Sequence, residues 1–414
     1  MKFRDLWPWG RKTVGGIGSV LHELLARQES FSGKTVNVQN AIGVAAVYSC
    51  LRVLGEGVAQ VPLKLMKVSA DGRQRTDAKA HPLYSVLGTK PNDWQTSFEY
   101  REMLVMHAAL CGGAFSFINR GTGGRILELI PFMPGSVNIK RADDWTLTYE
   151  VTAQNGASRV FPASSIWHVK GPSWDSWTGL QILKLAREAI GLAMATEEQQ
   201  ARMQKNGAKT SGTYSIEGTL SPEQNKLLRK WVAEEYAGSE NAGKVMVLDR
   251  NAKWLNTTMT GVDAQTLETR RLQVEEVCRF FRVNPIMVGA ESKNTTYASA
   301  EQMFLAHLVH TLAPWYSRLE QSIDANLLTD EDRAAGIYAN FVEEGLLRGS
   351  ATTTKDVLLG YVNGGLMTPN EGRAKLDLNP DTDPASDELR IPANLVGSIE
   401  PATDPETDPA KATE

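Results

Sequence analysis

Only three of the 414 residues are cysteine, and Cys50, Cys111 and Cys278 lie far apart with no CxxC pair. That excludes a disulfide framework and a cysteine-based zinc site, and it fits a reducing compartment. Long apolar runs are also missing. The longest candidate, Ala41 to Val53, is broken by Gly43, Tyr48, Ser49 and Arg52, well short of a bilayer span. The start, Met1-Lys-Phe-Arg-Asp-Leu-Trp-Pro-Trp, has no apolar core of a secretory signal, so the expected setting is a cytoplasm, with no membrane. Glycine (35) and proline (18) are near average usage, which rules out collagen-like and globally disordered chains.

Catalytic signatures are equally scarce. There is no GxSxG elbow and no HExxH, and the adjacent carboxylates Glu275-Glu276 and Glu234-Glu235 read as solvated helix faces. His307 and His310 have metal-compatible helical spacing, but no third ligand stands near them, so neither a metal nor a cofactor is expected. Gly238-Ser-Glu-Asn-Ala-Gly243-Lys244 matches GxxxxGK. A working phosphate loop needs a strand before it, a helix after it and Ser or Thr beside the lysine. Here a helix is expected before and a strand after, Val245 follows the lysine, and Glu240 opposes a phosphate. An ordinary helix-to-strand turn explains the segment, and no enzyme is expected.

Charge of one sign is scarce except at the end. Residues from Glu371 to Glu414 hold eleven Asp/Glu against four Lys/Arg, a net of −7, which leaves +3 on the rest of a chain of net −4. That end is proline-rich and poor in aromatics, so a disordered acidic tail is expected over 381–414. On the first long helix, Lys184, Arg187, Arg202 and Lys205 alternate with Glu188, Glu197 and Glu198. Tight electrostatic binding to duplex DNA is thereby disfavoured. A surface over which DNA slides should hold phosphates weakly.

What is present is an ordered series of segments. Residues 1–40 read as a flexible arm ordered only by a partner. Helices are expected over Ala41–Leu54, His81–Leu87 and Ser97–Leu110, with Ser97 as a cap, and a strand over Val61–Val68. Between Ala114 and Lys170, short β-rich runs (Phe115–Ile118, Ile126–Ile130, Val137–Ile139, Leu147–Val151, Ile166–Val169) alternate with turn formers such as Pro134-Gly135 and Asn155-Gly156, giving an antiparallel sheet. A long helix follows over Gly179–Lys205. Then comes a small α/β insert: strands at Thr213–Ile216, Lys244–Leu248 and Trp254–Thr258, and a helix over Ser221–Ala237 opened by the capping box Ser221-Pro-Glu-Gln224. A second long helix, Asp263–Arg282, carries an apolar seam of Leu267, Val274, Cys278 and Phe281. After the polar loop Gly289–Tyr297, a helix reaches Leu328 with an apolar face from Phe304 to Leu327 and an expected kink at Pro314. Short helices are expected over Phe341–Leu376. The fold class is α+β.

Seven stretches carry a resemblance: Ala45 to Gly55, His81-Pro-Leu-Tyr-Ser-Val-Leu87, Gly112-Gly-Ala-Phe115, Lys205-Asn-Gly-Ala208, Asn241-Ala-Gly-Lys244 with Val247-Leu248, Glu276-Val-Cys-Arg-Phe-Phe-Arg-Val-Asn-Pro285, and Thr368-Pro-Asn-Glu-Gly-Arg373. In this order they resemble the HK97-type family of tailed-bacteriophage portal proteins over residues 38–380. The resemblance implies a ring of twelve subunits at one capsid vertex, through which terminase packages double-stranded DNA and to which a head-tail adaptor binds. Its partners would be other copies, large terminase, major capsid protein, the adaptor and passing DNA. Its place would be the virion, and host cytoplasm during assembly.

By position the resemblance implies a wing (41–177), stem helix 1 (178–207), a clip (208–262), stem helix 2 (263–283), a tunnel loop (284–298), a long kinked wing helix (299–340) and a crown (341–380). It places Glu291, Ser292, Lys293, Asn294, Thr295, Thr296 and Tyr297 toward DNA. Ser221, Glu223, Lys226, Arg229, Lys230 and Glu234 would face terminase or adaptor. Trp174, Trp177, Leu267, Val274, Cys278 and Phe281 are expected in subunit packing. The alternatives are another phage head or adaptor protein, or an NTPase built on Gly238–Lys244.

Overall fold

The structure is a computed structural model, and it describes residues 29–69, 74–153, 155–205, 212–215, 221–235, 253–256, 262–290, 297–342, 351–375 and 378–390. The chain divides into a first unit that ends at Phe341 and a second that begins at Val342.

The first unit is organised around one helix. Asn37 and Asn40 cap each other's backbone to start α1 (Val38–Ile42). Gly43 and an extended Val44 interrupt the helix, and α2 (Ala45–Ala59) begins. The single helix expected over Ala41–Leu54 is therefore split, and it runs further. Val47, Cys50, Leu51, Leu54 and Val58 are all buried, so the apolar stripe carries the helix through Gly55 and Gly57. Gly57 permits a close approach: a Cβ there would lie 2.8 Å from the Leu312 side chain.

Past Pro62 the chain forms β1 (Leu63–Val68) and β2 (Arg75–Asp77). His81 caps α3 (Pro82–Gly88), its Nδ1 accepting from the Leu83 amide. In α4 (Ser97–Cys111) the cap is Thr96, paired with Glu99. Ser97, expected to cap, is buried and gives its hydroxyl to the Leu87 carbonyl instead. The helix ends at Gly112, whose φ of 82° and contact with Gly179 leave no room for a side chain.

Two three-stranded antiparallel sheets follow. In the first, β3 (Gly113–Arg120) lies between β4 (Ile126–Phe132) and β8 (Ile166–Lys170). In the second, β6 (Leu147–Thr152) lies between β5 (Val137–Arg141) and β7 (Ser158–Pro162). Central β3 is buried along most of its length, and its Ser116 is held by the Tyr100 hydroxyl of α4 at 2.6 Å. Phe115, Tyr149 and Ile166 form the small core shared by the two sheets.

A short α5 (Ile182–Leu185) precedes α6 (Arg187–Lys205), so the helix expected over Gly179–Lys205 is broken at Ala186. The insert contains β9 (Gly212–Ser215), α7 (Pro222–Glu235) and β10 (Lys253–Asn256), with β9 and β10 antiparallel. The expected strand Lys244–Leu248 lies outside the described residues. Helix α8 (Val262–Phe281) follows.

After a short 3-10 turn at Pro285–Val288 comes α9 (Tyr297–His307), then a π turn at Leu308–Leu312, then α10 (Ala313–Asn326). The kink expected at Pro314 takes the form of this π turn. The widened ring absorbs the donor that proline lacks, and the Ala313 amide bonds Leu308 instead. Leu312, Leu319, Ile323 and Leu327 are buried as expected, whereas Phe304 is exposed.

Helix α11 (Asp330–Ala334) leads into β11 (Ile337–Phe341), which pairs antiparallel with β1. The helix expected to start at Phe341 gives way to this strand, because Phe341 and Ala339 fill the core beside Tyr316. The classes of element are those of an α+β protein.

The N-terminal arm is not all free. Residues 29–36 turn back on themselves and lie along α6. The Phe31 amide donates to Glu188 at 2.7 Å, Lys34 pairs with Glu198, and Ser30 sits against Gly191. Residues 1–28 lie outside the described residues.

In the second unit, α12 (Ala351–Asn363) precedes α13 (Pro369–Lys375). Asn370 accepts from the Asp381 amide at 2.7 Å and donates to Asp387, also at 2.7 Å. The beginning of the expected disordered tail is thus folded onto α13. The rest of it, 391–414, lies outside the described residues.

Candidate functional site

The helices α6 and α8 flank the insert in sequence and pack on each other. Gln273 donates to Thr196 at 3.1 Å, and Arg270 faces Glu197 at 3.8 Å. Each helix has one buried stripe: Ile190 and Ala193 on α6, and Gln273, Val277, Cys278 and Phe281 on α8. Helix α8 also meets α2, where the Cys50 and Cys278 sulfurs are 3.7 Å apart.

This corrects one expectation. Cys278 and Phe281 are covered by the chain itself, so they cannot form a lateral seam between copies. Periodicity identified an apolar face, and α2 with α6 already occupies it. Val274 is half-buried, and the Leu267 side chain lies outside the described residues. Among the described side chains of α8, the open large apolar ones are Leu272, 56% exposed, and Phe280, 37% exposed; Leu192 of α6 is open too. The longest apolar seam of α8 leaves out Leu272 and Phe280, each of which follows an arginine, Arg271 and Arg279.

The polar segment Glu291, Ser292, Lys293, Asn294, Thr295, Thr296 lies outside the described residues, and Tyr297 opens α9. Its two flanks are well defined. At the C-terminus of α8, Arg282 adopts φ 56°, and the Val283 amide returns to the Cys278 carbonyl at 3.0 Å, a Schellman closure with arginine in the usual glycine position. Asn284 then caps the 3-10 turn, and Gly289 ends it with φ 78°. On the other flank, the Thr311 hydroxyl of the π turn donates to the Arg282 carbonyl at 2.8 Å. The flanks are therefore joined at their base.

On α7 the expected capping box is present: the Gln224 amide reaches Ser221 Oγ at 3.3 Å, and Gln224 Oε1 accepts from the Ser221 amide at 3.0 Å. Glu223, Lys226 and Lys230 are exposed; the side chains of Arg229 and Glu234 lie outside the described residues. Leu227, at 67% exposure, and Trp231 stand one turn apart and open as well. Charge does not mark this pair, although its i, i+4 spacing is legible in the sequence.

The loop between β8 and α5 is organised by Asp175, whose carboxylate accepts from the amides of Thr178 at 2.7 Å and Trp177 at 3.1 Å. Partial burial pushes its carboxyl up, but the hydrogen bonds from Thr178, Trp177 and Ser173 outweigh that and hold it below the usual carboxylate range. Trp174 is 74% exposed. Trp177 is half-buried, with the Arg141 guanidinium 5.5 Å from its ring centre and 4.5 Å from that of Trp145. The two tryptophans singled out by sequence thus differ: one is open, and the other is part of a cation–aromatic cluster.

His307 is buried and held below its ordinary pKa by that burial, while His310 is exposed. Among the described residues no cluster of three or more metal-ligating side chains occurs, and no helix is long and apolar enough to cross a membrane. Residues Gly238–Lys244 lie outside the described residues.

Residues 45–377 match the family described as Phage portal protein. Over 348 residues the chain is 28% identical to the "Portal protein" of Enterobacteria phage HK97, covering 84% of this chain and 81% of that one. It is 27% identical over 376 residues to the "Probable portal protein" of Streptomyces phage phiC31, covering 88% and 81%. Its fold is similar to the crystal structure of a HK97 family phage portal protein from Corynebacterium diphtheriae, with TM-score 0.55, 18% identity, and coverage of 76% of this chain and 98% of that one. A further fold likeness is to a chain of the neck of a native GTA particle computed with C12 symmetry, with TM-score 0.53, 20% identity, and 88% and 99% coverage.

Proposed function

This chain belongs to the phage portal protein family, and on that premise we propose that copies of it close into a ring at one capsid vertex through which the viral genome passes. The observation that carries the reading is the family match across residues 45–377. The order of α6, insert, α8 and polar segment supports it. Paired helices interrupted by a small α/β module suit a stem that ends in a clip, and a polar segment returning from the stem suits a loop facing the channel.

In this reading residues 41–177 are wing, 178–207 and 263–283 stem, 208–262 clip, 284–298 tunnel loop, 299–340 wing helix and 341–380 crown, with 381–414 an acidic tail. The strand β11 completes the wing sheet from the far end of the chain, since it pairs with β1. Glu291 to Tyr297, with Lys293 as their one cation, meet DNA. The clip, through Ser221, Glu223, Lys226, Arg229, Lys230 and Glu234 and also Leu227 and Trp231, faces terminase and later the head-tail adaptor. Trp174, Trp177 and Val274, with Leu272 and Phe280 of α8, contact the neighbouring copy. The protein acts without a catalytic step of its own, assembles in host cytoplasm beside the major capsid protein, and remains in the virion.

The test is direct imaging of the purified full chain by negative stain. Ring particles with a central opening are expected. A protein that stays monomeric at high concentration, with and without capsid or scaffolding protein, would refute the reading.

A further inference from the structure

We propose that Cys50 and Cys278 form a covalent modification site, a thiol pair that a peroxide converts into a disulfide joining α2 to α8. The two residues are 228 apart in sequence, both are buried, and their sulfurs are already in hydrogen-bond contact at 3.7 Å. A disulfide needs about 2.0 Å, so the sulfurs must close by less than about 2 Å. The helices that carry them are anchored nearby: the Tyr316 hydroxyl holds the Gly57 carbonyl at 2.9 Å, and Val283 closes the end of α8 on the carbonyl of Cys278 itself. The third thiol, Cys111, is half-buried rather than buried, and it serves as an internal control.

The pairing also divides the labour between the sulfurs. The hydrogen bond from Cys50 holds Cys278 below the usual thiol range, and the same bond, with burial, pushes Cys50 up. Burial alone pushes the Cys111 thiol up to about 11. With Cys278 as the thiolate, the reactive form, the product is the same disulfide that the reverse assignment gives.

In the first step the Cys278 thiolate attacks one peroxide oxygen. The S–O bond forms, the O–O bond breaks, and the departing hydroxide takes up the thiol proton as water, leaving a sulfenic acid. In the second step the Cys50 sulfur attacks that sulfur. The S–S bond forms, the S–O bond breaks, and hydroxide leaves with the Cys50 proton as a second water. The two sulfurs together lose two electrons and the peroxide gains them. The oxidant class follows from the burial: hydrogen peroxide is water-sized and uncharged, whereas glutathione disulfide is too large and too charged to reach the pair. Only the consequence for assembly rests on the portal reading, in which the bond ties stem to wing in a particle that has left the reducing cell.

The experiment uses the reduced full chain. Hydrogen peroxide is titrated in, the reaction is quenched, and remaining thiols are alkylated after denaturation and mapped by peptide mass spectrometry. The titratable thiols are expected to fall from three to one per chain. The Cys50 and Cys278 peptides should be joined, two hydrogens lighter, with Cys111 still alkylated and the change reversed by dithiothreitol. The unfolding midpoint should rise by about 5 °C, because a very long loop is closed. Glutathione disulfide should leave the native thiols untouched, and Cys50→Ala and Cys278→Ala should each abolish the joined peptide. Three outcomes on the wild-type chain overturn the proposal: all three thiols survive peroxide, the pair gains oxygen without joining, or Cys111 enters mixed disulfides with Cys50 or Cys278.

Discussion

Leu272 and Phe280 lie two helical turns apart on the open side of α8, and both are exposed in the single chain. If that side packs on a neighbouring copy, the Leu272→Glu, Phe280→Glu double variant should dissolve the ring without unfolding the subunit. Full burial of a leucine or phenylalanine contributes about 1.5–3 kcal/mol. Roughly half of Leu272 and a third of Phe280 remain to be covered, which amounts to about 1.3–2.5 kcal/mol for the two together. A carboxylate forced into the same contact adds desolvation above the about 1–3 kcal/mol that a neutral polar group costs at each position. The sum, about 4 kcal/mol or more per contact, weakens each one by about a thousandfold. Because every copy in a closed ring repeats the contact, the loss recurs at each interface. Sedimentation velocity at fixed concentration should move from a large species to monomer, while the far-UV spectrum and unfolding midpoint of the monomer stay as in the wild type. Rings persisting at the wild-type concentration would show that this side of α8 faces something other than a neighbour, and the assignment would fall.

Arg101 is buried with three backbone carbonyls, those of Ser97, Val61 and Ala59, as its hydrogen-bond acceptors, and burial lowers its pKa to about 10. Arg101→Met should cost about 3 kcal/mol, because the carbonyls at the end of α2 lose charged donors. Arg101→Lys should fall between the two, and an unchanged midpoint for Met in thermal unfolding would refute this role. Acid should also weaken the fold, because burial lowers the pKa of His168 to about 3, with Lys170 adding to the shift, and that of His107 to about 4. Both stay neutral when folded, while the unfolded chain binds protons below about 6.5. Their contribution is complete above that pH and is lost as pH falls toward 4 and 3. Unfolding midpoints that do not drop between pH 7 and 4.5 in His168→Phe and wild type alike would contradict it. Deleting Ser292–Thr296 should leave rings visible by negative stain but lower the yield of DNA-filled heads or their retention of DNA; full packaging and retention would remove this segment from the channel.

The elements that sequence made legible are those whose signals are local. Turn formers located five of the six strands of the two small sheets, the capping box at Ser221 located α7, and short stretches in order pointed to the family that residues 45–377 match. What stayed hidden depends on distant partners. β11 is an ordinary apolar run until β1 pairs with it across most of the first unit. β2 and β7 are short and mostly exposed, so no alternation marks them. The seam through Cys278 and Phe281 was correctly read as apolar, but periodicity does not say whether the same chain or another covers a face. At the start of α4, Thr96 and Ser97 are both capable caps. Burial decided between them, since the Ser97 hydroxyl was needed by the Leu87 carbonyl. Pro314 predicted a disturbance in the right place, but the helix met it by widening one turn.

That π turn also shows how the loop assigned to the channel is tied to the rest of the unit. The 3-10 turn after α8 and the π turn before α10 both pack on α2. Thr311 clips one to the other through the Arg282 carbonyl, and Leu312 of the π turn lies against Gly57. The two flanks are therefore joined against a single buried helix. That helix, α2, also contacts α4 and carries Cys50 against α8. Glycine at position 57 is what lets this junction close. A side chain there would push Leu312 outward, lengthen the path between Thr311 and Arg282, and loosen the loop base before disturbing either helix.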